Sequence, residues 1–107
     1  MTPHILFVDD EAPIRELLSL YFRKKGLEVT TALTAAQAKE LAASVPFTLA
    51  ILDLNLAGEN GVDLLGFFKS NYPNVPVVIF TGQSMNEVHH EQLFSQGAKA
   101  VCSRGSP

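Results

Sequence analysis

A chain of 107 residues is long enough to form one domain around a hydrophobic core without disulfides or a structural metal. Its formal net charge of −3, with no stripe of Lys and Arg, argues against direct binding of nucleic acid. Cys102 is the only cysteine, which excludes an intrachain disulfide, and no apolar run approaches the roughly 18 residues that a membrane span needs. We therefore expect a soluble cytoplasmic domain that makes no contact with a membrane.

Strand-like and helix-like segments alternate from the N-terminus onward. Residues 5–8 form a short apolar run that is typical of a strand buried on both faces. An amphipathic helix follows, with Pro13 in its first turn and Gly26 just after its end. Residues 27–31 alternate weakly and predict a second, more exposed strand. The predicted apolar stripe of the helix consists of Ile14, Leu17, Leu18, Tyr21 and Phe22.

The middle of the chain continues this alternation. Thr34 and Gln37 form a capping box that predicts a second helix. Residues 49–52 are a second apolar run typical of a buried strand. Residues 58–61 predict a turn, and the third helix that follows is broken at Pro73.

The last third predicts two more strands and one more helix. Residues 77–80 read as a buried strand, and a capping box at 84–87 predicts a fourth helix that stops at Gly97. Residues 98–102 predict a short last strand. Strands that alternate with helices indicate βαβ units, a parallel sheet and right-handed crossovers.

Polar residues follow three of these strands: Asp9-Asp10, Asp53 and Thr81-Gly82. Because parallel strands end on one edge of the sheet, we expect these residues to meet in one crevice, where a cation or a proton must offset the clustered carboxylates. Mg2+ prefers such oxygen ligands: Asp10 and Asp53 are expected to bind it directly, Asp9 through water, and a carbonyl just past Asp53 to complete the set. A carboxylate there can also attack phosphorus, with the Thr81 hydroxyl bonded to a phosphoryl oxygen. The alternative is that each acid only caps the next helix or turn.

In its motifs the chain resembles the receiver domain of two-component response regulators. The resemblance implies a doubly wound, five-stranded parallel sheet with strand order 2-1-3-4-5, a flavodoxin-like fold that here lacks only its last helix. The matching segments are Val8-Asp9-Asp10-Glu11, Asp53-Leu54-Asn55-Leu56, Gly61, Thr81-Gly82 and Gly97-Ala98.

The resemblance also implies a role for each site residue. Asp53 is the expected phosphoacceptor, and Asp9 and Asp10 hold Mg2+ together with Asp53 and the main-chain carbonyl of Asn55. Thr81 is the expected switch hydroxyl. A histidine kinase or histidine phosphotransfer protein would donate the phosphoryl group, and the phosphorylated form would regulate an output. The expected activity is that of a phosphoacceptor, which assists its own phosphoryl transfer but is not a turnover enzyme.

Three positions depart from the family pattern. Arg104 stands where the family has its phosphate-binding lysine, Val101 where it has an aromatic switch residue, and Ala57 where it usually has proline. An arginine can pair with a phosphoryl group, but its planar fork is longer and differently shaped than a lysine ammonium. These departures favour a second hypothesis, a pseudo-receiver that binds partners without being usefully phosphorylated.

Two other classes share this kind of sheet. A phosphohydrolase with an aspartate nucleophile needs a second aspartate two residues later, where this chain has Asn55. A flavodoxin-like cofactor binder needs a phosphate-cradling loop after the first strand, where Asp9 and Asp10 stand instead.

The family pattern includes a last helix for which this sequence has too few residues after the last predicted strand. We expect residues 1–107 to be a receiver domain truncated at its C-terminus, attached to an output domain or paired with a second copy. Part of the surface of residues 77–80 and Val101 would then be exposed, as in an interface.

Overall fold

The computed structural model describes residues 3–53, 55–56, 59–81, 95 and 97–103. Strands and helices alternate along this part of the chain, as the sequence predicts. In chain order the elements are β1 (His4–Val8), α1 (Ala12–Lys24), β2 (Glu28–Ala32), α2 (Ala35–Ser44), β3 (Leu49–Leu52), β4 (Asn55–Leu56), β5 (Glu59–Asn60), α3 (Gly61–Asn71), β6 (Val77–Thr81) and β7 (Ala100–Ser103).

The main sheet is parallel, with its strands in the order β2-β1-β3-β6-β7. The predicted α/β fold with a parallel sheet is therefore confirmed. A second, antiparallel ladder joins β4 to β5, with Asn55 opposite Asn60 and Leu56 opposite Glu59. We predicted only a turn in this region, because two-residue strands are too short to show a periodic pattern.

Each central strand contributes to both sides of the sheet, because successive strand residues point to opposite faces. In β1, Ile5 and Phe7 face α1, whereas Leu6 and Val8 face the side of α2 and α3. The larger core lies on that second side, where α3 contributes Leu64, Leu65 and Phe68.

Helix α1 buries a narrower stripe than its sequence predicts. Ile14, Leu18 and Phe22 pack against the sheet, whereas Leu17 and Tyr21 remain 64% and 53% exposed. The first three residues lie at i, i+4 and i+8 and form a single ridge, while Leu17 and Tyr21 lie on the neighbouring ridge. The sequence predicted the members of the apolar stripe, and the structure shows which of them are withdrawn from solvent.

Helix α2 begins at the predicted cap. The backbone N–H of Gln37 donates to Thr34 Oγ1 at 3.1 Å, as in a capping box. The Gln37 side chain accepts from the N–H of Leu33 at 2.7 Å, one residue before the cap. The connection from β2 into α2 is thus held at both its cap and the residue before it.

Strand β6 is buried on one face and partly exposed on the other. Val77 and Ile79 are buried in the larger core, and only Val78 and Phe80 are partly exposed on the α1 side. This pattern follows from the alternation of strand residues, because successive side chains point to opposite faces of the sheet. The side chain of Val101 and the predicted fourth helix lie outside the described residues. None of the helices that the structure describes could cross a membrane.

Candidate phosphoacceptor site

The register of the sheet brings two acidic residues together. Val8 of β1 pairs with Leu52 of β3, so Asp9 and Asp53 are the next residues on neighbouring parallel strands. Backbone hydrogen bonds continue the ladder by one step: Asp9 N–H donates to Ala32 O at 3.1 Å, and Asp53 N–H donates to Val8 O at 3.0 Å. The site is therefore built on the central strands, where the backbone is best supported.

The three predicted carboxylates do converge. Asp9 and Asp53 are fully buried and Asp10 is half-buried. One carboxylate oxygen from each residue lies within 4.8 Å of the other two. Buried carboxylates at such distances repel one another, and a bound cation would relieve that repulsion.

The loop between β1 and α1 is held by two further hydrogen bonds. Asp9 Oδ1 accepts from the backbone N–H of Glu11 at 2.9 Å, and Arg15 Nη1 donates to the main-chain carbonyl of Asp9 at 2.7 Å. Glu11, not Asp10, occupies the N-cap position of α1. The view that Asp10 only caps this helix therefore has no support in the geometry.

Arg15 was not singled out from the sequence, although one signal was available. It lies four residues into α1, near the positive end of the helix dipole, where a basic side chain is unfavourable unless it has a partner. Its bond to Asp9 supplies that partner. We regard Arg15 as a candidate positioning residue for the acidic loop.

The donor set fits a hard divalent cation. Three carboxylates on one edge offer the oxygen ligands that Mg2+ prefers, and half-exposed Asp10 leaves room for the waters that Mg2+ retains. Asn55 lies two residues beyond Asp53, at the start of the β4–β5 ladder. Its main chain is therefore close to the acids in sequence and fixed by strand pairing.

Thr81 is the one further predicted site residue on this side of the site that the structure describes. Because Leu52 pairs with Ile79, Thr81 at the end of β6 lies one residue beyond the level of Asp53. Ser103 of β7 pairs with Thr81 at this strand end. Gly82, Arg104 and Ala57 themselves lie outside the described residues.

Comparison with known proteins identifies the family. The family model described as the response regulator receiver domain matches residues 5–104, nearly the whole chain. The chain belongs to the response regulator receiver domain family. The resemblance inferred from the sequence motifs is thereby confirmed, as is the assignment of this receiver domain to two-component systems.

Named relatives agree with this assignment. The receiver domain is 40% identical over 103 residues to the alginate biosynthesis transcriptional regulatory protein AlgB of Pseudomonas putida, covering 96% of this chain and 23% of that protein. It is 31% identical to the receiver domain of NtrX from Brucella abortus, with a TM-score of 0.83 and coverage of 96% and 87%. It is 27% identical to the response regulator TrrA of Thermotoga maritima, solved with Mg2+ and BeF, with a TM-score of 0.85 and coverage of 97% and 88%.

The curated relatives are longer than this chain. The receiver domain spans between 17% and 42% of their length. The activities that their names describe belong to those whole proteins.

Proposed function

We propose that this receiver domain accepts a phosphoryl group on Asp53 from a phosphohistidine donor and that phosphorylation changes its affinity for an output. One observation carries the proposal: the carboxylate of Asp53 is held at the end of a central strand, with Asp9 and Asp10 within 4.8 Å. A purely structural role for Asp53 would not explain why two further carboxylates lie beside it, since like charges at this distance repel one another.

The chemistry assigned to Asp53 is nucleophilic. One oxygen of its carboxylate attacks phosphorus, the bond from phosphorus to the donor imidazole nitrogen breaks, and the electron pair returns to that nitrogen. The product is an aspartyl-phosphate and a free histidine. Mg2+, held by Asp9, Asp10, Asp53 and the main-chain carbonyl of Asn55, would offset the charge on the phosphoryl oxygens. The Mg2+–BeF complex of TrrA supports this ligand chemistry by similarity.

The other side of the site is assigned to recognition of the attached phosphoryl group. We assign a hydroxyl contact to Thr81 and a charged contact to Arg104, which replaces the usual lysine. A guanidinium can donate two parallel hydrogen bonds to phosphoryl oxygens, so the replacement keeps the positive charge and changes its geometry. Val101 stands where the family has its aromatic switch residue, so the usual coupling between Thr81 and the rotation of that ring is absent. We therefore assign the conformational change to the end of β6 and the segment that follows it.

The proposed partners follow from this role. The donor is a histidine kinase or histidine phosphotransfer protein, and the output is a linked domain, a separate protein or a second copy. Cytoplasmic location and the absence of direct nucleic-acid contact remain part of the proposal. Helix α1 begins two residues after the acidic pair and exposes Leu17 and Tyr21, so we assign this helix as a docking surface for the donor.

Mass spectrometry after incubation with acetyl phosphate tests the assignment. Mg2+ should promote addition of one phosphoryl group, a chelator should prevent it, and Asp53→Asn should abolish it. Arg104→Ala should weaken beryllofluoride binding by roughly 1–3 kcal/mol, the value of a charge-assisted hydrogen bond, while Arg104→Lys retains it. An unmodified wild-type chain that still binds a partner would instead establish the pseudo-receiver hypothesis.

A further inference from the structure

A groove outside the acidic site has the composition of an anion-binding site. It has a volume of about 430 Å³, within the range of small-molecule sites, and lies between α1 and β2, the strand at the edge of the sheet. Arg15, Ser19 and Arg23 of α1 line it, together with Thr31 of β2. Glu16 is the one acidic residue in its lining.

The three α1 residues form a row of hydrogen-bond donors. They lie at i, i+4 and i+8, so they share one face of the helix over a length of about 12 Å. Thr31 is two residues from Val29, which packs on the α1 side of the sheet, so it lies on that same side. The groove is therefore lined by an arginine towards each end, with Ser19 and Thr31 between them.

Neither arginine has its charge offset by a carboxylate among the described residues. Arg15 donates to the carbonyl of Asp9 at 2.7 Å, and Arg23 donates to the carbonyl of Val29 at 3.4 Å, a long bond. A guanidinium carries five N–H groups, so each arginine keeps donors for another acceptor. Planar guanidinium groups are well suited to bind phosphate oxygens in pairs.

Ser19 supplies an independent observation. Its residue is only 6% exposed, yet its Oγ has no hydrogen-bond partner. A buried hydroxyl without a partner is unfavourable, and each such group in a native protein needs an explanation, one of which is a bound water or ion. Ser19 lines the groove between the two arginines. Its Oγ is closed to solvent in this structure, so donation to an oxyanion in the groove requires a change of side-chain rotamer.

We propose that the groove between α1 and β2 binds a phosphate-bearing ligand, with Arg15, Ser19, Thr31 and Arg23 as donors. Two cationic side chains that line one groove favour a more highly charged ligand, such as pyrophosphate, over a single phosphate. The proposal does not depend on phosphorylation of Asp53, and the test below uses no metal.

The test is a titration of the full chain with sodium pyrophosphate and, separately, inorganic phosphate, followed by backbone amide NMR in buffer freed of divalent metal. Chloride at matched ionic strength serves as the reference. We expect the amide signals of α1 from Arg15 to Arg23 and of Thr31 to shift, with pyrophosphate binding more tightly than phosphate. Arg23→Ala should weaken pyrophosphate binding roughly tenfold, as expected for a lost charge-assisted contact.

Two variants separate binding from folding. Ser19→Ala should weaken binding but leave the melting temperature equal or higher, because it removes a buried hydroxyl that lacks a partner. Glu16→Gln should strengthen binding, because it removes the one negative charge in the lining. Lys24→Ala is the matched control: it removes an exposed charge from the same helix outside the groove and should change binding by less than about twofold.

A second arm identifies the source of the phosphate. The chain is sedimented with vesicles made of equal parts phosphatidylcholine and phosphatidylserine. Co-sedimentation of the wild-type chain that is lost in Arg23→Ala would identify a lipid headgroup as the ligand. Binding of pyrophosphate without sedimentation would show a soluble ligand. The proposal is overturned if neither anion shifts the α1 signals and no vesicle binds, or if Arg23→Ala and Lys24→Ala weaken binding equally.

Discussion

The strongest consequence of the acidic cluster concerns stability without metal. Replacing Asp53 by Asn keeps the shape of the side chain and removes one of three clustered carboxylate charges. Because Asp53 and Asp9 are fully buried, their repulsion is not screened by solvent as it would be at the surface. In metal-free buffer we therefore expect Asp53→Asn to be more stable than the wild-type chain, although the same change abolishes the proposed phosphoacceptor.

The distances set the size of this effect. At the largest separation of 4.8 Å and an effective dielectric constant of about 20, each like-charged pair costs about 3.5 kcal/mol. Two effects reduce the stability that Asp53→Asn gains: half-buried Asp10 is partly solvated, and Asp53 takes part in other interactions. We expect a net increase of about 1–3 kcal/mol in the free energy of unfolding.

Urea unfolding followed by far-UV circular dichroism measures the difference. In the wild-type chain, Mg2+ at about 100 times its dissociation constant should add about 2.7 kcal/mol of stability through binding to the folded state. Asp53→Asn should gain less from Mg2+, because it has lost a ligand. The difference between the two proteins should therefore shrink or reverse when Mg2+ is added.

Glu40→Gln is the matched control, since it removes an exposed negative charge from α2, away from the acids. Its stability should respond to Mg2+ as the wild-type stability does. If Asp53→Asn is less stable than the wild-type chain in metal-free buffer, or if Mg2+ stabilises neither protein, then the carboxylates do not form a strained cation site and the reasoning fails.

Three further predictions follow from other contacts. Arg15→Ala should lower Mg2+ affinity about tenfold, as for other residues that support metal ligands, whereas Arg23→Ala should leave it unchanged. Calorimetric titration measures both affinities, and equal losses in the two variants would contradict the positioning role of Arg15. Leu17→Glu should slow phosphoryl transfer from a protein donor but leave modification by acetyl phosphate unchanged. Only the protein donor needs an apolar contact on α1. Equal losses with both donors would indicate misfolding and contradict the prediction. Gly97→Ala should destabilise the fold by about 1–3 kcal/mol, because Gly97 has a φ of +113°, a conformation that strains any residue with a Cβ. The flexible Lys69 side chain, 2.7 Å from the added Cβ, would only have to move aside. Gly66→Ala, on an open face of α3, should instead stabilise by up to about 1 kcal/mol in the same unfolding assay, and a similar sign for both glycine variants would refute the argument.

Much of the fold was predictable because its signals are local. The apolar runs at 5–8 and 49–52, the cap at Thr34 and the breaker at Pro73 each act within a few residues of sequence. The β4–β5 ladder was not predicted, because its strands are too short for a periodic signal and its pairing depends on the path of the chain after Asp53.

The candidate site divides in the same way. Acidic residues that directly follow two buried strands are predicted to share one edge of the sheet. The sequence by itself was sufficient to place Asp9, Asp10 and Asp53 at that edge. It could not supply the distance between them, since that depends on β1 and β3 being neighbours in register. The bond from Arg15 to the Asp9 carbonyl likewise requires the angle at which α1 leaves the acidic loop.

Patterning along the chain therefore determined which segments are strands and helices and which residues stand at strand ends, because backbone preference and hydrophobic period are properties of neighbouring residues. Only the tertiary structure decided that Leu17 and Tyr21 stay exposed while Ile14, Leu18 and Phe22 are buried. A helix can have a wide apolar stripe, but the part of it that leaves solvent is set by the surface against which the helix packs.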